Sequence, residues 1–406
     1  MSRVRVGIVG GSIGGCAAAL AAHRAGLTDI TVYERTSGDL ADRGVGIAVH
    51  EGRYAELEAA GYLDSAMEWS RLAERCWYTR APGGGGDPLG RLIGSDAFPF
   101  RSYNWGPLWR ELRSRLPAEV AFRTSSEVTG VVGTRTGAEL RTAAGADHYG
   151  LVIGADGYRS AVRAAVCPAV RPEYAGYLAW RGAYPERRLP DPGLWEKTTV
   201  AYVVFRGGHV VIYRIPDGSG GHRVNWVLYS APPPGLGIPL ATPTSLPPGT
   251  LGEALHSHLA RLTEEHLPPF WAELTGLTAP GELLVQPMYD FAASPGVTAR
   301  LALVGDAAAV ARPHTGAGAV KALQDAALLE SALRTASDTG IPEALAGYGA
   351  ARETAGRAMV ELGRRLGSGL VEHTPRWSAL DRGGLDAWWK RADAAGTFGG
   401  KRLGRE

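Results

Sequence analysis

The sequence predicts an α/β fold: a nucleotide-binding sheet whose strands come from two separated parts of the chain, a β-rich segment inserted between them, and helices at the C-terminal end. Three observations predict it. An apolar strand at 4–9 runs into the glycine-rich turn Gly10-Gly11-Ser12-Ile13-Gly14-Gly15 and then into a helix of small residues. Apolar runs at 151–153 and 301–304 end in Gly154-Ala155-Asp156-Gly157 and Gly305-Asp306. From about Tyr174 the texture between those runs turns to β, with a hairpin signal at Gly207-Gly208.

The first strand, the glycine turn, a helix over 14–25 and a second strand at 30–33 ending at Glu34 form a βαβ unit. An amphipathic helix is expected over 50–75, a Pro- and Gly-rich loop over 82–88 and a helix over 108–116. Strands follow at 200–205, 209–215 and 224–229, then a loop over 231–250 and mostly helix over 251–274. A helix over 318–333 follows the 301–304 strand, and the C-terminal third is helical, with a basic, Gly-rich tail after Ala394 expected to fray. No internal repeat is visible. The expected division is 1–168 for the first part of the nucleotide-binding domain, 169–283 for the inserted β-sheet domain, and 284–406 for the second part with the C-terminal helices.

Composition excludes several classes. A net charge of +2 argues against a nucleic-acid binder, and no apolar run is long enough for a membrane span. Cys16, Cys76 and Cys167 are too far apart for a zinc site or a disulfide framework, so no metal is expected and a reducing, cytoplasmic compartment fits. The first strand begins at residue 4, which leaves no room for a signal peptide.

The first turn suits a pyrophosphate. Gly10 and Gly15 permit a tight turn and close approach, and the helix behind them presents its N-terminal amides to an anion. Ser12 stands where the fingerprint has a further glycine. Glu34, 19 residues beyond Gly15, stands where a carboxylate accepts from a ribose hydroxyl. This motif alone does not separate FAD from NAD. The later motif continues from Gly305-Asp306-Ala307-Ala308 through Arg312-Pro313-His314-Thr315-Gly316-Ala317-Gly318-Ala319 into a helix containing Lys321 and Asp325. Its helix start would gather free amides and the positive dipole end beside the N1–C2=O edge of a flavin, where reduction places negative charge.

Taken together, in this order, these phrases resemble the single-component FAD-dependent aromatic hydroxylases of the para-hydroxybenzoate hydroxylase fold, and among them the 2,6-dihydroxypyridine 3-hydroxylase branch. Gly44-Val45-Gly46-Ile47, the run Tyr174 to Gly182, the run Gly208 to Pro216, Asn225-Trp226, and Arg312-Pro313-His314 with Lys321 carry the branch likeness. The resemblance implies a Rossmann-like FAD-binding domain with an inserted substrate domain. It implies FAD held by the Ser12 turn, by Glu34 and Arg35, by Arg43, Gly44, Gly46 and Ile47 on the flavin side, by Val128, and by Asp306 on the ribityl chain. Asp156 would bridge the FAD and NAD(P)H regions, and Pro313 would bring its carbonyl near the flavin C4a position. Ala309 stands where many members have His, Trp105 where a helix commonly has an Arg three residues before its Leu, and Glu51 where they carry Pro.

The implied activity is a monooxygenase. NADH or NADPH reduces FAD, O2 adds to give a C4a-hydroperoxide, and an electron-rich phenol, hydroxypyridine or indole ring takes the oxygen. No second dinucleotide fingerprint is present, which suits transient binding of the nicotinamide. Family members are often dimers, so a homodimer is expected. Candidate substrate and catalytic residues are Tyr213, Arg181, Asn225, His209 and His50. Each has a plainer reading: Tyr213 as a cross-strand residue, Arg181 paired with Glu186 or Asp191, His50 as a satisfied surface histidine, His209 exposed beside a hairpin, and His314 packing its loop. Trp105, Trp109, Trp180 and Trp226 are candidates for an aromatic pocket. The competing functions are a flavin oxidase or reductase without hydroxylation, a plain NAD-linked dehydrogenase and a non-catalytic flavin-binding protein. The Trp-x-Trp-x-Ile-Pro stretch of flavin halogenases is absent.

Overall fold

The structure is a computed structural model, and it describes residues 4–40, 46–83, 86–235, 238, 240, 245–336 and 340–400. A five-stranded parallel sheet has the order Leu301–Leu303, Leu151–Gly154, Arg5–Val9, Asp29–Tyr33, Ala121–Arg123. Its central strands read as unbroken apolar runs because both faces are covered; Val6, Ile8, Val32 and Ile153 have no exposed surface. One cover is the helix Ile13–Arg24, whose glycines and alanines let the helix Gly318–Arg334 approach so closely that a methyl on Gly14 would stand 3.7 Å from the Ala322 Cβ. The strands of this sheet end at Val9, Gly154 and Leu303, so their three following turns gather at one edge. That edge is where an open α/β sheet takes its ligand.

The second sheet has nine strands, in the order Ala309–Val310, Leu284–Ala292, Glu173–Pro185, His222–Ser230, Gly208–Pro216, Thr199–Phe205, Ser70–Thr79, Arg91–Asn104, Gly46–His50. Three of these strands come from the part of the chain before residue 105, so the large sheet is not made from the inserted segment alone. Its alternating side chains face two cores. Leu178, Trp180, Ile212, Trp226 and Leu228 pack under the helices Glu253–His266 and Pro269–Gly276. Tyr177, Ala179, Tyr213, Val227 and Tyr229 face the other way, toward Leu366, Leu370 and Trp388 and toward the first sheet's turns. A three-stranded antiparallel sheet, Gly130–Gly133, Ala138–Thr142 and Gly145–Tyr149, covers the other face, Leu140 and Tyr149 packing with Val9, Tyr33 and Val152.

The helix expected over 50–75 stops at Ala59, and residues 70–79 form a strand instead. That strand pairs on both sides, parallel with Thr199–Phe205 and antiparallel with Arg91–Asn104. Its charged residues disguise it: Arg75 is buried, bound to Asp96 at 2.9 Å and set against the Trp389 ring at 3.9 Å. The tail after Ala394 does not fray as far as it is described. Asp393 accepts from the Thr397 amide at 2.8 Å, and Phe398 is buried against Phe100 and Trp389. Residues 401–406, Gly84 and Gly85 of the expected 82–88 loop, and parts of the 231–250 loop lie outside the described residues. The hairpin at Gly207 forms as expected, with Phe205 facing Gly208 across the turn. No helix among the described residues is long and apolar enough to cross a membrane.

Candidate active site

The first turn is shaped by what its glycines exclude. Gly10 has φ 99°, and a side chain there would meet the Ala155 carbonyl oxygen at 2.4 Å. A methyl on Gly15 would overlap the Gly10 carbonyl at 1.8 Å, so the helix can begin directly behind the strand only with glycine there. The Ser12 side chain makes no cap hydrogen bond, which leaves the first-turn amides of Ile13–Arg24 free for an anion. Glu34 is buried at the end of the neighbouring strand; its carboxylate accepts from the Gly11 and Thr36 amides, each at 2.8 Å. Gly11 is held from the other side too, its carbonyl accepting from the Trp109 indole at 2.9 Å.

In the second turn Asp156 accepts from the Ser160 hydroxyl at 2.5 Å and the Ala161 amide at 2.7 Å, so it holds the start of the helix Ala161–Val166, which Ser160 caps. Burial pushes its carboxyl up, with those hydrogen bonds acting the other way. The third turn rests on a buried ion cluster. Asp325 accepts from the Gly305 amide and from Lys321, each at 2.7 Å, and pairs with Arg352; Lys321 also donates to the Gly305 carbonyl at 2.8 Å. With Gly305 pinned at both ends, Asp306 is turned outward. It is exposed to the cavity, yet the surrounding protein still raises its carboxyl by desolvation, Lys321 opposing and Asp325 adding to the rise. The chain then passes Pro313, turns at Gly316 with φ 63°, and starts the helix Gly318–Arg334 with Ala317 as an N-cap that offers no side chain.

All three turns border one cavity of about 690 Å³, closed on its far side by the large sheet. Strand alternation decides which side chains reach it. His209, Val211 and Tyr213 come from one strand, Arg181 from another, and Val227 and Tyr229 from the strand between them. Tyr213 and Asn225 are register partners, and Asn225 also accepts from the Gly46 amide at 2.9 Å. Burial raises the Tyr213 phenol above its ordinary range, while the Arg181 charge and a hydrogen bond with Asn225 pull it down. These features fit FAD. Two uncapped helix starts and a glycine turn drawn tight against Ala155 suit the pyrophosphate and a polar ring edge, and Glu34 and Asp306 offer acceptors for hydroxyls.

Residues 264–362 match the family described as FAD binding domain, and residues 174–235 match the one described as FAD binding domain-like. The 2,6-dihydroxypyridine 3-monooxygenase of Paenarthrobacter nicotinovorans is 30% identical over 348 residues, which span 80% of this chain and 81% of that protein. The chain belongs to the FAD-dependent aromatic hydroxylases. The solved 2,6-dihydroxypyridine-3-hydroxylase from Arthrobacter nicotinovorans overlays on this hydroxylase with a TM-score of 0.79 at 25% identity, covering 94% of this chain and 96% of that one. Klebsiella pneumoniae HpxO, solved with FAD and uric acid, shares the fold with a TM-score of 0.74 at 23% identity, covering 96% and 92% of the two chains. Like its relatives, the hydroxylase is a FAD-dependent monooxygenase.

Of the residues expected around the cofactor, Gly10, Ser12, Ile13, Gly14, Glu34, Arg35, Gly46, Ile47, Val128, Asp156, Gly305, Asp306, Pro313, Thr315, Gly316, Ala317 and Gly318 border the cavity. Gly11 and Gly15 stand behind it as backbone supports, and Ala319 lies in the first turn of its helix. Arg43 and Gly44 lie outside the described residues. Among the substrate candidates, Tyr213, Arg181 and His209 border the cavity, and Asn225 stands behind Tyr213. His209 is not exposed; it has no accessible surface, because the hairpin beside it folds under the helix end at Leu370. Arg181 does not pair with Glu186, which binds Arg214 at 2.6 Å, nor with Asp191, which turns back to the Gly193 amide. His50 is outside the cavity lining and caps the helix Glu51–Ala59, its Nδ1 accepting from the Gly52 amide at 3.0 Å. Of the tryptophans, Trp105 borders the cavity and stacks on Trp109, while Trp180 and Trp226 are fully buried in the opposite core. Sequence reasoning missed Phe98, Phe100, Met288 and Phe398 of the wall, and Tyr177. Phe98 and Phe100 carry the period-2 spacing that marks one strand face; Phe398 carries no such signal.

Proposed function

We propose that this hydroxylase inserts one oxygen of O2 into an electron-rich ring of the phenol, hydroxypyridine or indole type, with NADH or NADPH as electron donor. When bound, FAD supplies hydride acceptance and the activation of O2. The cofactor assignments at the three turns, with Glu34 on a ribose and Asp306 on the ribityl chain, belong to this proposal. So do a homodimer, which rests on the family resemblance, and a cytoplasmic setting, which suits three free, buried cysteines. The relative named for dihydroxypyridine supports a polar heteroaromatic ring as the first substrate to try.

The observation that carries the reading is the wall facing the turns. Tyr213, Arg181 and Tyr229 stand among Leu72, Val200, Val211, Val227 and Met288, so a few polar groups converge on an apolar wall. Arg181 favours an anionic ring. Tyr213 stays a neutral phenol at working pH, so it orients the substrate by hydrogen bonding and passes a proton only by receiving another. Pro313 fixes the backbone of the loop that faces this wall. The test is Tyr213→Phe. Ring-stimulated NAD(P)H oxidation and hydroxylated product should fall by roughly tenfold or more while FAD content stays full. An unchanged hydroxylation rate removes Tyr213 from the site.

A further inference from the structure

His314 follows Pro313 in the loop facing the substrate wall, and it borders the cavity while only 6% exposed. Its Nε2 lies 2.7 Å from the Tyr177 hydroxyl, and its Nδ1 has no hydrogen-bond partner among the described residues. The Tyr229 ring packs on it at 4.5 Å and the His209 ring at 5.1 Å. Burial, reinforced by His209 and by the positive charges of Arg312 and Arg181, keeps this imidazole neutral. One ring nitrogen therefore carries the proton and the other a lone pair.

Tyr177 decides which. The Arg312 guanidinium stands at the phenol, and both border the space where a side chain on Gly367 would go. Arg312 is itself held by Asp290 at 2.8 Å and Glu372 at 2.5 Å. A guanidinium only donates, so the phenol oxygen accepts there and its own O–H is free to donate to His314 Nε2. The proton of His314 is then on Nδ1. The opposite tautomer would leave both the tyrosine proton and the Nδ1 lone pair unpaired, whereas this one leaves a single orphan, the Nδ1 N–H. Arg181 adds charge to the same place. It is half-buried, its Nε lacks a partner, and its field reaches Tyr213, Tyr229 and His314.

We propose that the Nδ1 N–H of His314 is a substrate-binding donor, set in that tautomer by Tyr177 and Arg312, and that with Arg181 it selects a ring bearing a hydroxyl or carboxylate oxygen over one bearing only an ether. The inference rests on the hydroxylase reading of this cavity. Tyr177 acts through His314 and is a positioning residue.

The experiment titrates the FAD-loaded protein with resorcinol, benzoate and anisole and follows the flavin absorbance. His314→Gln keeps an amide for Tyr177 but loses the Nδ1 donor, and His314→Asn puts an N–H near the Nδ1 position. His314→Gln should raise the Kd of the bound oxygen-bearing ring by roughly tenfold or more, and His314→Asn by about threefold or less. Neither variant should change anisole binding by more than about twofold. Tyr177→Phe should fall between them. Binding of resorcinol but not benzoate names a hydroxyl as the oxygen source; the reverse names a carboxylate; either supports the proposal. An unchanged Kd in His314→Gln, an equal loss for anisole, or a wild type with no preference over anisole overturns it. If His314→Gln does not load FAD, unchanged binding in Tyr177→Phe overturns it. A wild-type holoprotein that binds none of the three rings contradicts the hydroxylase reading itself.

Discussion

His209 sits two positions from Val211 and four from Tyr213 on one strand, and that parity matters more than its neighbouring hairpin. Read locally, a histidine beside Gly207-Gly208 belongs at the surface. The sheet places it between the Tyr202 and Tyr229 rings, 6.2 Å and 5.0 Å away. Burial lowers its pKa from 6.5 to about 3, with the Leu370 backbone acting the other way. The folded pKa is depressed, so between those values the unfolded chain binds a proton that the folded chain refuses. This contribution is complete above pH 6.5 and is lost as pH falls toward 3, at about 1.4 kcal/mol per pH unit. Urea denaturation at pH 7 and pH 5 checks it. Wild type should lose about 2 kcal/mol more over that interval than His209→Phe, and equal losses would contradict the burial argument. Other site residues were legible one by one. Gly10 and Gly15 announce themselves by spacing, because so tight a turn admits no side chain, and Glu34 and Asp306 by standing just beyond strand ends. Arg181 and His50 each stayed between a site role and a plainer one, because an arginine or histidine finds its partner only once the strands are paired.

At the scale of elements, the helix Gly318–Arg334 holds the third turn through a buried cluster. Lys321 and Asp325 are four residues apart and face each other on the helix, a pairing visible in the sequence. Arg352 completes the cluster from the helix Ile341–Gly367, which no local pattern announces. Asp325→Ala would leave two cations buried without their anion and free the Gly305 amide. Stability in urea should fall by about 3–5 kcal/mol, with loss of FAD on purification. A variant that keeps both its stability and its FAD would show that the cluster does not support the turn. The strand at 70–79 shows the opposite limit of sequence reading. Its buried Arg75 breaks the apolar alternation, and only pairing on both sides and a ring of aromatic side chains make that arginine tolerable.

For the whole molecule, the split parallel sheet was legible because each strand ends in a turn with its own chemistry. The extent of the second sheet was not. Its strands at Gly46–His50, Ser70–Thr79 and Arg91–Asn104 precede the inserted segment in the chain yet continue its hydrogen bonding. Taking 169–283 as the substrate domain predicts that exchanging this span with a relative's shifts ring preference. Val211, Tyr213, Val227 and Arg181 all lie in it. Unaltered preference in a folded, FAD-loaded chimera would move specificity to the earlier strands, which carry Leu72, Phe98 and Phe100.

Three distant turns and one sheet face build a site for oxygen transfer to a ring. The decisive measurement supplies the FAD-loaded protein with NAD(P)H, a hydroxylated aromatic or heteroaromatic ring and 18O2, and weighs the product. One labelled oxygen atom should appear in the ring product, formed with ring-dependent consumption of the nicotinamide. Nicotinamide consumption that ends only in labelled hydrogen peroxide, with the ring unchanged, would contradict oxygen transfer.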